Sequence, residues 1–487
     1  MKKISVAILV TLLFYTISFA QQKNTSQNLN SIETYLVELE KVGFSGSVLV
    51  ELDGKKIISK GYGFRNLELS EKNTVNTIFD IGSLTKQFTA SAILKLEMQG
   101  KLSTSDTITK YFQNVPIDKS TITIHDLLRH QSGLQSNVGG DYESISETDF
   151  LDTLMKSPLR FKMGSDFSYS NVGYSLLALI IEKVSQQSYE QFLYENLWKP
   201  VGMETTGYSR PNFDTDLIAV GYGKNNIVWG KPTNKNWNKN EPYLHLKGNG
   251  GILSTTEDLF KWHKALMTNS ILSKGVKQKL YHPKIRANEN GTAYYAYGWD
   301  VSKTDRNTFR VWHNGANNIF YSDFMRFIDE KTTLIMLSNK SNRDLDQLNF
   351  EVAKLIFDNN YKPIIPVADS EDNQKLSQEI IEVVLSKGLQ KANLAYKNRS
   401  SKTDVLEYIL NAKGYELLSL RKYDEAISIF TMNTIAYPNS FNAFDSLGEA
   451  YMEKGDKVSA IKNYEKSLEL EPNNGNAVEM IQALKTQ

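Results

Sequence analysis

Ser47-Val48-Leu49-Val50-Glu51-Leu52-Asp53-Gly54-Lys55-Lys56-Ile57-Ile58-Ser59 reads as an apolar strand, an Asp-Gly turn and a second strand, the signature of a β-hairpin. The pattern returns far down the chain: Tyr321 to Ile328, a turn around Asp329-Glu330-Lys331, then Thr332 to Ser338, followed by the helix-like segment Phe350 to Phe357. Between the hairpins lie helical patterns. The clearest runs from Ser83 to Gln99, with Phe88, Ala92 and Leu96 on one face and Gly100 as its stop. Hairpins at both ends with helices between them predict an α+β domain over residues 35–360, whose ends share one antiparallel sheet.

Beyond this domain, Lys362-Pro363-Ile364-Ile365-Pro366-Val367 and Asp369 to Asn373 read as an extended linker over 361–373, and 374–487 reads as helical throughout. Gly414 and Gly448, Ala426 and Ala460, Ile427 and Ile461, Phe430 and Tyr464, and Pro438 and Pro472 each stand 34 residues apart. That period predicts two helical hairpins, at about 407–440 and 441–474. Two such units bury little surface alone, so a further layer is expected from the segment Leu376 to Tyr396 or from the preceding domain.

At the other end, Lys2 and Lys3 precede an apolar stretch from Ile4 to Ile17 and then Ser18-Phe19-Ala20, the pattern of a signal peptide (1–20) cleaved before Gln21. The apolar stretch is shorter than the ~20 residues that span a bilayer, so no membrane span is expected after cleavage. A periplasmic or secreted location follows as an expectation. Composition narrows the chemistry: 56 Lys+Arg balance 55 Asp+Glu to a net charge of +1, which gives no electrostatic reason to expect a nucleic-acid partner. The chain has no Cys, which removes disulfides, thiolate nucleophiles and Cys-based zinc sites. The six histidines have no zinc-ligand spacing, and there is no Walker-type or dinucleotide glycine loop, so neither metal nor cofactor is expected.

An oxygen nucleophile remains. Ser83-Leu84-Thr85-Lys86, preceded by Gly82, opens the helix described above. A serine hydroxyl needs a neighbouring base, and a lysine three residues on lies on the same helical face. The helix N-terminus adds N–H groups suited to developing negative charge. The spacing recurs at Ser419 and Ser459, where solvated faces of the repeat helices account for it. Tyr169-Ser170-Asn171 precedes the apolar stretch Tyr174 to Ile181 and offers a phenol kept partly ionised by a nearby ammonium, with an amide for substrate. Tyr-x-Asn also begins at Tyr194, Tyr396 and Tyr437, so the triplet alone decides nothing. His313-Asn314-Gly315-Ala316 ends a strand-like run and contains the chain's one His-x-Gly.

Together these residues carry a resemblance. Thr77 to Ala90, Gly100-Lys101-Leu102, Ile122 to Leu134, Tyr169-Ser170-Asn171 and Gly250 to Leu259 follow one another in the order of the serine beta-lactamase and penicillin-binding-protein family, on its class C side. The tail separately resembles tetratricopeptide repeats. The resemblance implies a beta-lactamase-like antiparallel sheet flanked by helices, an all-helical cluster beside it, and an α-helical repeat domain behind. It implies that Ser83 attacks a carbonyl to form an acyl-enzyme, that Lys86 and Tyr169 share the proton transfers, and that Asn171 holds the substrate amide. The oxyanion would rest on the backbone N–H groups of Ser83 and Ala316, with His313 and Gly315 lining the groove.

The third motif departs from the family's usual Lys-Thr-Gly. A lysine there suits a substrate carboxylate, whereas a histidine of reference pKa ~6.5 is mostly neutral at pH 7. This fits the family's esterase-like and D-amino-acid-peptidase-like relatives and a less acidic substrate. The expectation is an exported serine hydrolase acting on small esters, amides or D-amino-acid-containing peptides. Two alternatives stand beside it. One is a D-Ala-D-Ala carboxypeptidase or beta-lactamase. The other is an idle hydrolase fold that binds a protein partner through its repeats.

Overall fold

The computed structural model describes residues 29–223, 226–235, 242–282, 285–286, 293–317, 319–340, 348–471 and 474–486. The signal peptide expected at 1–20 lies outside them. No helix among the described residues is long and apolar enough to cross a membrane. The chain forms two compact units, divided between Ile365 and Pro366.

The first unit is built on an eight-stranded sheet. Its strands are β1 (Gly46–Leu52), β2 (Lys55–Tyr62), β3 (Ile285–Arg286), β4 (Ala293–Tyr295), β5 (Asp300–Lys303), β6 (Phe309–Ala316), β7 (Tyr321–Phe327) and β8 (Thr332–Ser338). They lie in the order β2-β1-β8-β7-β6-β5-β4-β3, every pairing antiparallel. The expected hairpins are β1-β2 and β7-β8, and they meet through β1 and β8, with Gly46 opposite Ser338 and Val50 opposite Leu334. Near-continuous apolar runs in β1 and β8 fit a sheet covered on both faces. Val48, Val50, Leu334 and Met336 pack with Ile32, Leu36 and Leu39 of a helix at 29–41 and with Val352 and Ile356 of the helix Leu348–Phe357. Leu49, Phe324, Ile335 and Leu337 point the other way, into a larger core of helices. Alternation of period two thus sorts the strand side chains between two cores.

The helix Thr85–Met98 lies at the centre of that larger core and is buried from Thr85 through Leu94. Phe88 is held between Trp198 and Trp262, at centroid distances of 5.5 and 5.0 Å. Beside it runs Asn171–Ser185, buried from Val172 to Ile181.

The second unit is all helical, with helices Glu371–Lys387, Leu389–Lys397, Glu407–Ser419, Tyr423–Ala436, Phe441–Lys454, Lys457–Leu470 and Gly475–Thr486. The first begins inside the segment expected to be linker. Ser370 caps it by accepting from the Asn373 N–H, and Glu371 and Asp372 occupy its first turn, where carboxylates favour the helix dipole. Ile380, Val384 and Tyr396 share a core with Leu410, Leu417 and Phe430, so the segment Leu376 to Tyr396 supplies the further layer that the repeats needed.

Candidate active site

Ser83 sits in the 3-10 turn Gly82–Leu84 that leads into the central helix. Gly82 is required there on two counts. Its φ of +49° is a left-handed conformation, and a Cβ on it would fall 2.7 Å from the Ala316 amide nitrogen. Conversely, a Cβ on Gly315 would fall 2.7 Å from the Ser83 nitrogen and 2.2 Å from the Ile81 carbonyl oxygen. Two bare backbones therefore bring the Ser83 and Ala316 segments into contact. Asp80 fastens them, accepting from the Gly82 N–H at 2.7 Å and from Asn317 Nδ2 at 2.5 Å, while burial raises its pKa to about 7.

Lys86 is fully buried in the helix's first turn. Its Nζ donates to Asn171 Oδ1 and to the Asn249 carbonyl, each at 2.8 Å, and lies 3.1 Å from Ser83 Oγ. Burial drives its pKa well below the ordinary lysine value, with Asp141 pulling weakly the other way. In its neutral form, which burial favours, the amine has two hydrogens, one for each carbonyl acceptor. Its lone pair is then left facing the Ser83 hydroxyl.

Tyr169 stands over this amine, its ring centroid 4.7 Å from Lys86 Nζ. Burial raises its pKa, against a lowering influence of the adjacent Ser83 hydroxyl. The expectation of a partly ionised phenol is therefore corrected: burial disfavours the Lys86 ammonium that was to ionise it and favours the protonated phenol. Its hydroxyl has no well-formed hydrogen bond among the described residues. Asn171 opens the helix Asn171–Ser185, which Ser170 caps. Both ends of its amide are engaged, since Nδ2 donates to Asn137 Oδ1 at 2.9 Å. His313 lies in β6 with both ring nitrogens in contact, Nε2 3.0 Å from the Tyr295 hydroxyl and Nδ1 2.5 Å from the Asn314 carbonyl oxygen. Burial above all depresses its pKa to about 3, so it is neutral.

All seven residues singled out in the sequence come together at one place. A cleft of about 400 Å³ opens onto Ser83, Tyr169, His313, Gly315 and Ala316. A smaller cavity of about 170 Å³ near Glu147 and Lys247 lies against none of them. Sequence reasoning missed four participants. The Asn249 carbonyl acts through backbone, which no side-chain pattern marks. His130 packs its ring 4.3 Å from that of Tyr169 and accepts the Ser170 N–H on Nδ1 at 3.0 Å; it stood inside the quoted stretch Ile122 to Leu134 without a role. Tyr295 and Asp300 also line the cleft, and the aromatic cluster Tyr294-Tyr295-Ala296-Tyr297 was their only signal.

Comparison with known proteins agrees with this geometry. The family model described as Beta-lactamase matches residues 36–356, and the Tetratricopeptide repeat model matches residues 441–474. The chain is similar to penicillin-binding protein 4* of Bacillus subtilis, 31% identical over 62% of this chain and 69% of that one. It is also similar to protein flp of Staphylococcus aureus, 28% identical over 74% and 73% of the two chains. Among solved structures, the octameric penicillin-binding protein homologue from Pyrococcus abyssi matches with a TM-score of 0.58 and 29% identity, over 67% of this chain and 77% of that one. FmtA from Staphylococcus aureus matches with a TM-score of 0.56 and 25% identity, over 69% and 87%.

Proposed function

The chain belongs to the Beta-lactamase family, whose members are generally serine hydrolases, and from that premise we propose that it cleaves esters, amides or peptides through an acyl-enzyme on Ser83. The observation that carries this reading is Lys86 Nζ, buried, hydrogen-bonded by two carbonyls and 3.1 Å from Ser83 Oγ. Ser83 Oγ attacks the substrate carbonyl carbon and gives its proton to Lys86 Nζ. The oxyanion is met by the Ser83 and Ala316 N–H groups. The proton passes through the Tyr169 hydroxyl to the leaving alcohol or amine as the carbon–heteroatom bond breaks. Water then adds to the acyl carbonyl, returns a proton to Ser83 Oγ, and releases the carboxylic acid. Asn171 holds the Lys86 amine in place with one lone pair of its amide and keeps a second N–H for the substrate amide, and the neutral His313 supports a substrate without a carboxylate at that end of the groove. The leader Lys2 to Ala20 supports export, with cleavage before Gln21.

A fluorophosphonate probe followed by intact-mass analysis tests the reading. One adduct is expected on the wild type, none on Ser83→Ala, and labelling slowed by about 100-fold or more in Lys86→Met. An unlabelled wild type, or equal labelling of Ser83→Ala, overturns it.

A further inference from the structure

The cleft follows an open strand edge. β5 pairs with only the first half of β6: Lys303 lies opposite Phe309, and the ladder ends where Asp300 meets Trp312. Beyond that point His313 to Ala316 continue with no strand beside them on that side among the described residues, and the cleft lies along this edge. Ser83 and Ala316 occupy one end of it. Asp300, the residue at which β5 begins, closes the other.

The charge within this groove is one-sided. Among its lining residues, Ser83, Tyr169, Tyr295, Asn314 and the backbone of 315–316 are uncharged, and His313 is held neutral. Asp300 is half-buried, and no hydrogen bond or ion pair engages its carboxyl among the described residues. Arg310, on the neighbouring strand, lowers its pKa only through its charge. The Arg310 guanidinium itself stacks on Phe350 at 4.5 Å and donates to Ser302. Tyr169 and Tyr295 face the carboxyl without neutralising it. Burial holds Asp300 near pKa 7, so an approaching cation would complete its ionisation. A carboxyl left without a cation of its own in a substrate cleft is the complement of a cation supplied by the substrate.

We propose that Asp300 anchors a cation-accepting subsite, so that substrates of this enzyme carry an ammonium group where a carboxylate would meet repulsion. From the Ala316 end to the Trp312 end the edge spans four residues, roughly 13 Å of extended strand. The ammonium therefore lies several bonds from the scissile carbonyl, on a lysine-like side chain or an amine-terminated chain.

This inference rests on the Ser83 hydrolase reading, and one experiment separates the two. The rate of fluorophosphonate labelling of Ser83 is measured in the full chain against rising hexylammonium, hexanol or hexanoate. Hexylammonium should protect at concentrations at least about tenfold below those of hexanol, with hexanoate the weakest. Asp300→Asn should bring the hexylammonium-to-hexanol ratio to about one, and Asp300→Glu should keep most of it. Equal protection by the amine and the alcohol, or a ratio unchanged in Asp300→Asn, overturns the subsite while leaving the hydrolase reading intact. A wild type that is not labelled at all overturns both.

Discussion

His130 stands in a left-handed conformation with φ of +56°, uncommon for a residue with a side chain. It is fully buried, and burial above all depresses its pKa well below the ordinary value. Its neutral ring lies between Tyr169, Tyr174 and Tyr295, at 4.3, 5.2 and 4.6 Å. Its Nδ1 holds the Ser170 N–H, the link between the Tyr169 phenol and Asn171. His130 is thus a positioning residue for both. His130→Ala should lower kcat by about 10- to 100-fold with a smaller change in KM, since loss of orientation costs the chemical step most. His130→Asn accepts the left-handed backbone and puts Oδ1 near the place of Nδ1, and should recover most of that loss. Equal loss of kcat in both variants would reduce His130 to core packing. Ser83, Lys86, Tyr169, Asn171 and His313 were legible in the sequence as candidates because the chemistry proposed for them depends on side-chain type and spacing. His130 and Asp300 were not legible because the roles proposed for them depend on which ring or strand end lies beside them.

Between elements, the contact of the helix Thr256–Met267 with the sheet is polar at its heart. Glu51 of β1, His263 of the helix and Arg326 of β7 are all buried. Glu51 lies 3.0 Å from His263 Nε2 and also pairs with Lys264, while Arg326 Nε donates to His263 Nδ1 at 3.0 Å and its NH1 to the Tyr281 hydroxyl at 2.6 Å. Burial raises the Glu51 pKa, but hydrogen bonds and charge from His263 and Lys264 outweigh it and bring the value to about 2. Burial lowers that of His263 to about 4. Both values lie below those of the unfolded chain, so the unfolded state binds more protons in acid. The His263 contribution is complete above its unfolded pKa of ~6.5 and is lost as pH falls through about 4. The Glu51 contribution is lost lower, between its unfolded value of ~4.3 and about 2. Acidification from pH 7 to 4.5 should therefore lower thermal stability by up to about 3 kcal/mol. In His263→Gln that slope should flatten over the same window, although stability at pH 7 is also reduced. Calorimetry across pH checks both, and an unchanged slope in the variant would detach it from His263. Glu51 and Arg326 read as ordinary strand residues in the sequence, since charge within an apolar strand names no partner. The hairpins were legible because their runs are long and alternate between two cores. β3, β4 and β5 were not, because two to four residues with no sustained alternation carry too little pattern.

At the scale of the whole molecule, each unit has its own apolar core, and the 34-residue repeat shows how the second is built. Gly414 packs under Phe430 and Gly448 under Tyr464, equivalent positions of the two repeats with unequal room. A Cβ at 414 would fall 2.4 Å from the Phe430 ring, against 3.0 Å from Tyr464 at 448. In an open helix, glycine to alanine gains about 1 kcal/mol of helix propensity. At 414 the overlap reaches a ring that is itself fully buried, and overpacking of this kind costs about 1–3 kcal/mol. Gly414→Ala should therefore destabilise the repeat unit, while Gly448→Ala, needing a shift of only tenths of an ångström, should lie near neutral. The helices of 371–486 unfold as a body of modest size, so a net loss of about 1 kcal/mol should lower their transition by roughly 5 °C. Scanning calorimetry of the full chain reads that shift, with fluorophosphonate labelling of Ser83 followed in parallel. The expected result is a lowered repeat-unit transition in Gly414→Ala with the labelling rate retained. Equal shifts from the two glycine variants would show that the repeats are packed alike and that the difference in room does not set their stability.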